Sequence, residues 1–428
     1  MPTDPLSLSA VAESLRTGDR DPIEFAASIC DRIEADDDAI GAFLDEPDRR
    51  GRLTSAAEAR RATHSSEDDR PPLFGVPVGI KDIIHVEGFE TKAGSAVPPE
   101  LFAGPEATVV RALEGAGATV AGKTVTTEFA GQAPGHTRNP HDLDHTPGGS
   151  SSGSAAAVAA GMVPLALGTQ TGGSVIRPAG FCGIVGFKPT IGRIPTEGVI
   201  THAESLDHVG TFTADVESAA LAASVLCERW TPDAPDDRPV LGIPEGPYLQ
   251  RASEPAREAL DDQADRLADA GYDVRRVAAF EAFETVEKRF RDVISAEFAL
   301  ALEGMFEEYR SFYRAPTAEQ IDSGRDVTTG ALIAGRAYAE PLRERLDERM
   351  DDAGIDLWIC PATPGPAPEG ISDTGDMVMN FPWTYQGVPA VTVPADRIGG
   401  LPIGLQCVGR FGEDERLLAW AEGIAEAL

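Results

Sequence analysis

The sequence predicts an α/β protein in which a mixed, twisted β-sheet is sandwiched between helical layers. Short apolar segments with the length of buried strands alternate with longer segments whose apolar residues recur at helical spacing. No proline-, glycine- or charge-rich tract divides the 428 residues into independent parts. We therefore expect a single domain over residues 1–428.

The predicted elements follow one another along the whole chain. Helical periodicity predicts helices at 6–16, 22–34, 107–115, 155–161, 216–230, 254–270, 280–313 and 413–427. Short apolar segments predict strands at 75–80, 118–121, 163–167, 240–243, 272–277, 356–361, 390–393 and 403–408. Asp21 and Pro22 are residue types that favour the N-cap and the first turn, so the second helix is expected to begin there.

The charge balance is strongly acidic. The chain has 70 acidic and 37 basic residues, a net charge of -33, and only five of the basic residues are lysine. Such a surface repels the phosphates of nucleic acids and anionic membranes, so we expect neither as a direct partner. A carboxylate-rich, lysine-poor exterior is typical of proteins kept soluble in concentrated salt, although an ordinary acidic protein is the alternative.

Cysteine usage and hydropathy indicate the compartment. The five cysteines are scattered and include no Cys-x-x-Cys pair, which favours a reducing environment. The segment 1–15 lacks the basic start and the apolar run of a secretion signal, and no stretch reaches the ~18 apolar residues of a membrane helix. We expect a cytoplasmic protein.

Two patterns imitate binding sites. Residues 117–124 match the phosphate-loop pattern G-x-x-x-x-G-K-T, but the variable residues read as the strand itself and not as a loop after it, which argues against nucleotide binding. His141 and His145 have the spacing of metal ligands on a helix, but the neighbouring prolines and glycine make a helix improbable there. We therefore expect neither a nucleotide nor a metal at these two patterns.

The candidate chemistry lies in two glycine- and serine-rich loops, 148–154 and 171–174, and in a lysine. Lys81 follows a buried strand, where it either forms a salt bridge with Asp82 or another acid, or acts as a catalytic amine whose pKa burial lowers. No histidine stands beside these serines in a way that suggests a Ser-His-Asp triad. A neutral lysine could replace the histidine as the base.

Several segments resemble the amidase signature family of serine amidohydrolases. The matching segments are 75–82 (GVPVGIKD), 147–151 (PGGSS), 168–174 (GTQTGGS), 181–190 (FCGIVGFKPT), 205–207 (SLD), 387–390 (GVPA) and 401–406 (LPIGLQ). The resemblance covers nearly the whole chain and implies the amidase signature fold, with a signature core at about 71–210. It favours the catalytic interpretation of Lys81.

The resemblance implies a role for each catalytic residue. Ser174 would be the acylated nucleophile, Ser150 the bridging serine and Lys81 the base, with the peptide Gly149–Ser150 in the cis form. Backbone N–H groups of Thr171, Gly172 and Gly173 would form the oxyanion hole, since two glycines allow a tight turn without side chains. Ser174 would attack the amide carbonyl, water would then hydrolyse the acyl-enzyme, and this mechanism would need no metal and no organic cofactor.

The chain departs from the family pattern beside the nucleophile. Many members have an acid four residues before it and an arginine two residues after it, where this chain has Gln170 and Ile176, with Arg177 one position further on. This version resembles the branch that contains malonamidase, in which an arginine at the same offset binds a substrate carboxylate. We expect Arg177, Gln170 and Ser151 to bind substrate, with a purely structural Arg177 as the alternative.

The family includes a second functional class, the glutaminase A subunit of the tRNA-dependent amidotransferase, which works with partner subunits. The segment 335–340 lacks the tyrosine-rich pattern of that branch, and the chain is short for it, so a small-molecule amidase is favoured. A homodimer is possible. Phe290, Ile294 and Phe298 share one helical face and either line the substrate mouth or, as we favour, pack in the core.

Overall fold

The computed structural model describes residues 4–235 and 237–428, so the first three residues of the amino-terminal segment lie outside it. Ten strands form one sheet. They are β1 (Pro77–Lys81), β2 (Thr119–Thr124), β3 (Leu165–Gln170), β4 (Val185–Lys188), β5 (His208–Thr213), β6 (Leu241–Glu245), β7 (Val274–Ala278), β8 (Leu357–Pro361), β9 (Ala390–Ile398) and β10 (Leu401–Val408).

The sheet is mixed, as the sequence predicted. Its spatial order is β2-β1-β3-β5-β4-β9-β10-β8-β6-β7. The strands β1, β2 and β3 at one end, and β6, β7 and β8 at the other, pair in parallel, whereas the pairs in the middle are antiparallel. The candidate lysine ends one strand of the first parallel group, and the loop of the candidate nucleophile follows another.

The helices cover the sheet in groups. Their bounds are α1 (Leu8–Arg16), α2 (Pro22–Ile40), α3 (Arg49–Thr63), α4 (Thr108–Gly115), α5 (Ser152–Ala159), α6 (Ile176–Cys182), α7 (Val216–Leu226), α8 (Glu254–Asp269), α9 (Phe283–Tyr309), α10 (Ala315–Arg325), α11 (Thr329–Arg336), α12 (Ala339–Ala353), α13 (Phe381–Tyr385) and α14 (Asp414–Ala427). Helices α5 and α6 pack on each other, α5 against β1, β2, β3 and β5 and α6 against β4, β9 and β10, and α7, α8 and α14 form another layer. The predicted sandwich is confirmed.

Local signals in the sequence account for several boundaries. Asp21 caps α2, because its carboxylate accepts hydrogen bonds from the backbone of Ile23 and Glu24 at 2.8 and 3.2 Å. The phosphate-loop pattern lies mostly in β2, so its residues pair with a neighbouring strand and are not a loop. The sequence patterns did not predict α3, α6, the helices α10 to α13, or the strands β4 and β5.

The buried apolar side chains form a core that extends across both ends of the sheet. Helix α5 is buried along its whole length, which its alanine and glycine residues permit because they let the backbone approach the strands closely. Among the described residues, no helix is both long and apolar enough to cross a membrane.

Candidate active site

The candidate catalytic residues meet at one edge of the sheet. Strands β1 and β3 are parallel neighbours, with Ile80 opposite Leu167, so their carboxyl ends lie side by side. Lys81 is the last residue of β1, and the loop 171–174 follows β3 directly. The other glycine- and serine-rich loop, 148–154, leads into α5, which begins at Ser152 and packs on the same strands.

Lys81 is fully buried and contacts hydroxyl groups. Its Nζ donates hydrogen bonds of 2.7 Å to Ser150 Oγ and 2.7 Å to Thr169 Oγ1. Burial lowers the pKa of Lys81 well below its usual value, and the opposing effect of the Asp207 carboxylate does not offset it. The expected alternative of a salt bridge to Asp82 is wrong, because Asp82 pairs with Lys123 at 2.9 Å.

The two serines are joined through the backbone. The N–H of Ser150 donates to Ser174 Oγ at 3.0 Å. Among the described residues, no hydrogen bond links the two hydroxyl groups directly, so only the half of the expected relay between Ser150 and Lys81 is formed in this conformation.

The expected cis peptide at Gly149–Ser150 is absent. All peptide bonds in the described ranges are trans. Two successive glycines in the left-handed region, Gly148 at φ 82° and Gly149 at φ 62°, turn the chain toward Lys81 instead. A Cβ on Gly149 would lie 2.8 Å from the ring of Pro178, so the turn also needs a residue without a side chain.

The loop before the nucleophile is tightly held. Thr171 Oγ1 donates to the Asp207 carboxylate at 2.6 Å, and Thr384 Oγ1 donates to the carbonyl of Gly172 at 2.7 Å. A Cβ on Gly172 would approach Met377 Sδ to 2.4 Å, and one on Gly173 would approach Asn380 Oδ1 to 2.6 Å. A side chain at either position would therefore displace Met377 or Asn380.

Gln170 and Ser151 lie behind the loops and do not line the cavity. Gln170 Oε1 accepts from the backbone N–H of Val175 and of Ile176 at 2.8 and 2.9 Å, so this side chain caps the start of α6. Ser151 Oγ bonds both backbone groups of Thr169. Their positions assign both residues to holding the loops, in place of the substrate-binding role that the sequence led us to expect.

A cavity of about 700 Å³ opens in front of Ser174. Its wall includes Ser150, the loop 171–174, Arg177, parts of α9 and α10, and the segment 372–377. This volume suits a small molecule.

Arg177 is a buried cation in this wall, with 5 % of its surface exposed. It donates to the carbonyl of Gly375 at 2.5 Å and to Thr374 Oγ1 at 3.4 Å, and its Nε has no partner among the described residues. Burial lowers its pKa to about 10, which leaves it charged at neutral pH, and Asp376 and Asp373 act on it only from a distance. A buried guanidinium that contacts no carboxylate of the described residues is suited to bind an anionic ligand.

Two residues of the site were missed by reasoning from the sequence. Thr169 contacts the amine of Lys81, and Asp207 holds Thr171 while its own pKa is raised by burial to about 6. Both belong to segments that match the family, 168–174 and 205–207, but their types alone did not indicate contact. The parallel pairing of β1 and β3 was the signal that could have placed Thr169 near Lys81.

The three apolar residues of α9 divide between two roles. Phe290 and Phe298 are fully buried and stack on Phe381 and His202, as core residues do. Only Ile294 lines the cavity. The favoured expectation of core packing is confirmed for the two phenylalanines.

The two suspected loop histidines are apart from this site. His141 Nε2 contacts the carbonyl of Cys182 at 2.8 Å, and His145 Nδ1 lies 3.2 Å from Asp142. Neither residue lies in a helix. Within the ranges 4–235 and 237–428, no cluster of three potential metal ligands is found.

Comparison with known proteins decides the family. The family model for amidases matches residues 24–418. This chain belongs to the amidase signature family. It is a hydrolase of amide C–N bonds by family and by structural likeness.

The relatives differ in function. The A subunit of glutamyl-tRNA(Gln) amidotransferase from Koribacter versatilis is 33 % identical over 475 aligned residues, which cover 99 % of this chain and 98 % of that protein. A crystal structure of an amidase has a TM-score of 0.89 at 31 % identity and covers 99 % of both chains. The peptide amidase of Stenotrophomonas maltophilia has a TM-score of 0.85 at 26 % identity over 98 % of this chain and 96 % of that one. The 475 aligned positions exceed the 428 residues of this chain, so it is shorter than that A subunit although it matches nearly its whole length.

Proposed function

We propose that this amidase hydrolyses a small carboxylic amide whose acyl part carries a second carboxylate, through an acyl-enzyme on Ser174. The observation that carries the proposal is the wholly buried amine of Lys81, which lies 2.7 Å from Ser150 Oγ and contacts no carboxylate in the ranges 4–235 and 237–428. A lysine in such a place is a base at neutral pH, because desolvation disfavours its ammonium form.

The neutral amine has two N–H groups and one lone pair. One N–H donates to Thr169 Oγ1, which fixes the amine, and the lone pair then accepts the hydroxyl proton of Ser150. Ser150 Oγ in turn takes the proton of Ser174 once the hydroxyl of Ser174 turns toward it. The N–H of Ser150, already 3.0 Å from Ser174 Oγ, stabilises the negative charge that develops on this oxygen.

The attack of Ser174 on the amide carbon forms a bond from Oγ to that carbon and places negative charge on the carbonyl oxygen. The N–H groups of the loop 171–173 are the proposed donors to this oxygen. The proton held by Lys81 returns through Ser150 to the nitrogen, the C–N bond breaks, and ammonia or an amine leaves. Water then attacks the ester by the same route and releases Ser174 and the acid.

The acyl specificity rests on Arg177. Its guanidinium faces the cavity three residues after the nucleophile, with an Nε that has no partner in the described ranges. A carboxylate on the acyl part would satisfy that group and the charge together. A half-amide of a dicarboxylic acid, such as succinamate, fits this arrangement.

Ammonia release from a panel of small amides at molar salt tests the proposal, with Ser174→Ala as the blank. We expect Arg177→Ala to lower kcat/KM for succinamate by about 10- to 100-fold, the usual effect of a lost charged hydrogen bond. Butyramide, which lacks the carboxylate, should be affected much less. Equal losses on both amides would contradict the assignment.

Arg291→Ala is the matched control. Arg291 lines the same cavity, but its side chain is 57 % exposed and is paired with Glu287 at 2.8 Å. We expect it to leave the preference for succinamate unchanged.

A second candidate is the glutaminase A subunit of an amidotransferase, which the likeness to the Koribacter protein favours. The same site would then release ammonia from glutamine, whose α-carboxylate could occupy Arg177. Ammonia from glutamine only in the presence of partner subunits would favour this candidate, and turnover of succinamate by the chain alone would favour the first.

A further inference from the structure

A second polar cluster lies in the cavity wall and has no part in the proposed mechanism. It consists of His202, in the loop before β5, and Gln320 on α10. Both side chains are buried, with exposed fractions of 3 % and 9 %. The ring of His202 stacks on Phe298 at 4.3 Å, so it is firmly placed.

The proton on His202 can be assigned to one nitrogen. Burial lowers the pKa of this imidazole to about 4, so the ring is neutral at neutral pH and carries a single N–H. Nδ1 lies 3.1 Å from the carbonyl oxygen of Phe129, which can only accept. Nδ1 therefore holds the proton, and Nε2 is an acceptor.

This assignment fixes the direction of the Gln320 carboxamide. Its nitrogen lies 3.4 Å from His202 Nε2 and donates to it. The oxygen Oε1 is then the free end, and it has no hydrogen-bond partner in the part of the chain that the structure describes. A buried acceptor without a partner is costly, so a ligand that donates an N–H would complete it.

The space in front of this oxygen is kept by a glycine. A Cβ on Gly131 would lie 3.1 Å from Gln320 Oε1, and Gly131 itself lines the cavity. Any larger residue at this position would crowd the free acceptor.

The carboxylate of Asp207 links this cluster to the loop 171–174, near Lys81. The backbone N–H of His202 donates to the Asp207 carboxylate at 2.8 Å, and the same carboxylate accepts from Thr171. Thr171 belongs to the loop that follows β3, beside Lys81 at the end of β1, whereas Arg177 contacts the segment 374–375. The leaving nitrogen must face the proton source at Lys81 and Ser150, so the cluster is suited to that half of the substrate.

We propose that Gln320 Oε1, oriented by His202, accepts a hydrogen bond from the N–H of the leaving amide nitrogen and makes the site selective for amides over esters. This inference rests on the proposed hydrolysis at Ser174. It assigns Gln320 as a specificity-determining residue and His202 as the positioning residue behind it. Primary amides, and secondary amides with a free N–H, are the substrates it favours.

The test compares succinamate with monomethyl succinate, which has the same acyl part and no N–H. We expect Gln320→Leu to lower kcat/KM for the amide about tenfold and to leave the ester reaction nearly unchanged, so that the amide-to-ester ratio falls by the same factor. A fraction of misfolded enzyme lowers both rates equally and cannot change the ratio. Gly131→Ala should lower the ratio in the same direction but less.

Gln132→Leu is the matched control, because Gln132 lines the cavity but is exposed. It should leave the ratio unchanged. An amide rate in Gln320→Leu no lower than in this control, or an equal loss on amide and ester, would overturn the inference while the proposed function stands. A wild-type enzyme inactive on every amide of the panel would overturn both.

Discussion

Two buried lysines on neighbouring strands show how one residue type takes two roles. Lys81 ends β1 and Lys123 lies in β2, with exposed fractions of 0 % and 4 %. Lys123 pairs with the Asp82 carboxylate at 2.9 Å and donates to Thr91. Lys81 contacts the hydroxyl groups of Ser150 and Thr169.

The two lysines differ in the groups that their amines contact and not in how deeply they are buried. Burial lowers the pKa of both amines, but for Lys123 the adjacent carboxylate of Asp82 opposes the shift directly. A lysine with a carboxylate in contact keeps its proton and stabilises the fold, whereas one among hydroxyls can release it. Burial therefore makes a lysine a base only where no acid is in contact with its amine.

The largest effect is expected at Lys81. Lys81→Met removes the base and should lower kcat/KM by about 10⁴-fold or more, as in other serine hydrolases that lose a member of the catalytic set. Because the wild-type amine is desolvated, the variant should melt at the same temperature as the wild type or higher. Ammonia release and thermal unfolding measure the two quantities, and a variant that keeps a tenth of the activity would refute the role of Lys81.

Lys123→Met should instead affect stability. It leaves the buried carboxylate of Asp82 without its cation, and breaking such a pair costs about 3–5 kcal/mol. Denaturant unfolding measures the change in free energy. The double variant Asp82→Asn/Lys123→Met should recover a large part of the loss, and no recovery would mean that the pair is not the cause.

The pH dependence of kcat/KM and of stability tests the protonation state of Lys81. Lys81 must be neutral to act, so kcat/KM should fall about tenfold per pH unit on the acid side of its lowered pKa, and remain high well below the usual value of 10.5. Since the unfolded chain binds a proton that the folded one does not, the contribution of Lys81 to stability should rise with pH between the lowered pKa and 10.5. An acid limb near 10.5 would exclude a neutral Lys81 at pH 7.

Thr169→Val should give the smallest effect. The substitution keeps the shape of the side chain and removes the hydroxyl that accepts from Lys81 at 2.7 Å. We expect a loss of about three- to tenfold in kcat/KM, the size of one neutral hydrogen bond, and a shift of the acid limb to lower pH, because the ammonium form loses a partner. A limb that moves to higher pH would contradict this contact.

Much of the fold and of the candidate site could be predicted from the sequence because both are carried by local patterns. The apolar segments predicted strands such as β1 and β8 nearly residue by residue, and Asp21 marked the start of α2. The elements that were missed lack such signals. Helix α3, for example, buries only Leu53 and Ala57, so it shows little apolar periodicity.

The sequence by itself determined the family, the mixed α/β architecture and the three catalytic candidates Lys81, Ser150 and Ser174, since each lies in a segment that carries the family pattern. Only the tertiary structure decided which lysine is paired. Asp82 follows Lys81 in the chain, but side chains alternate between the faces of a strand, and Ile80, not Lys81, is the register partner of Lys123. Lys123 and Asp82 therefore meet on one face, and Lys81 lies on the other among hydroxyl groups.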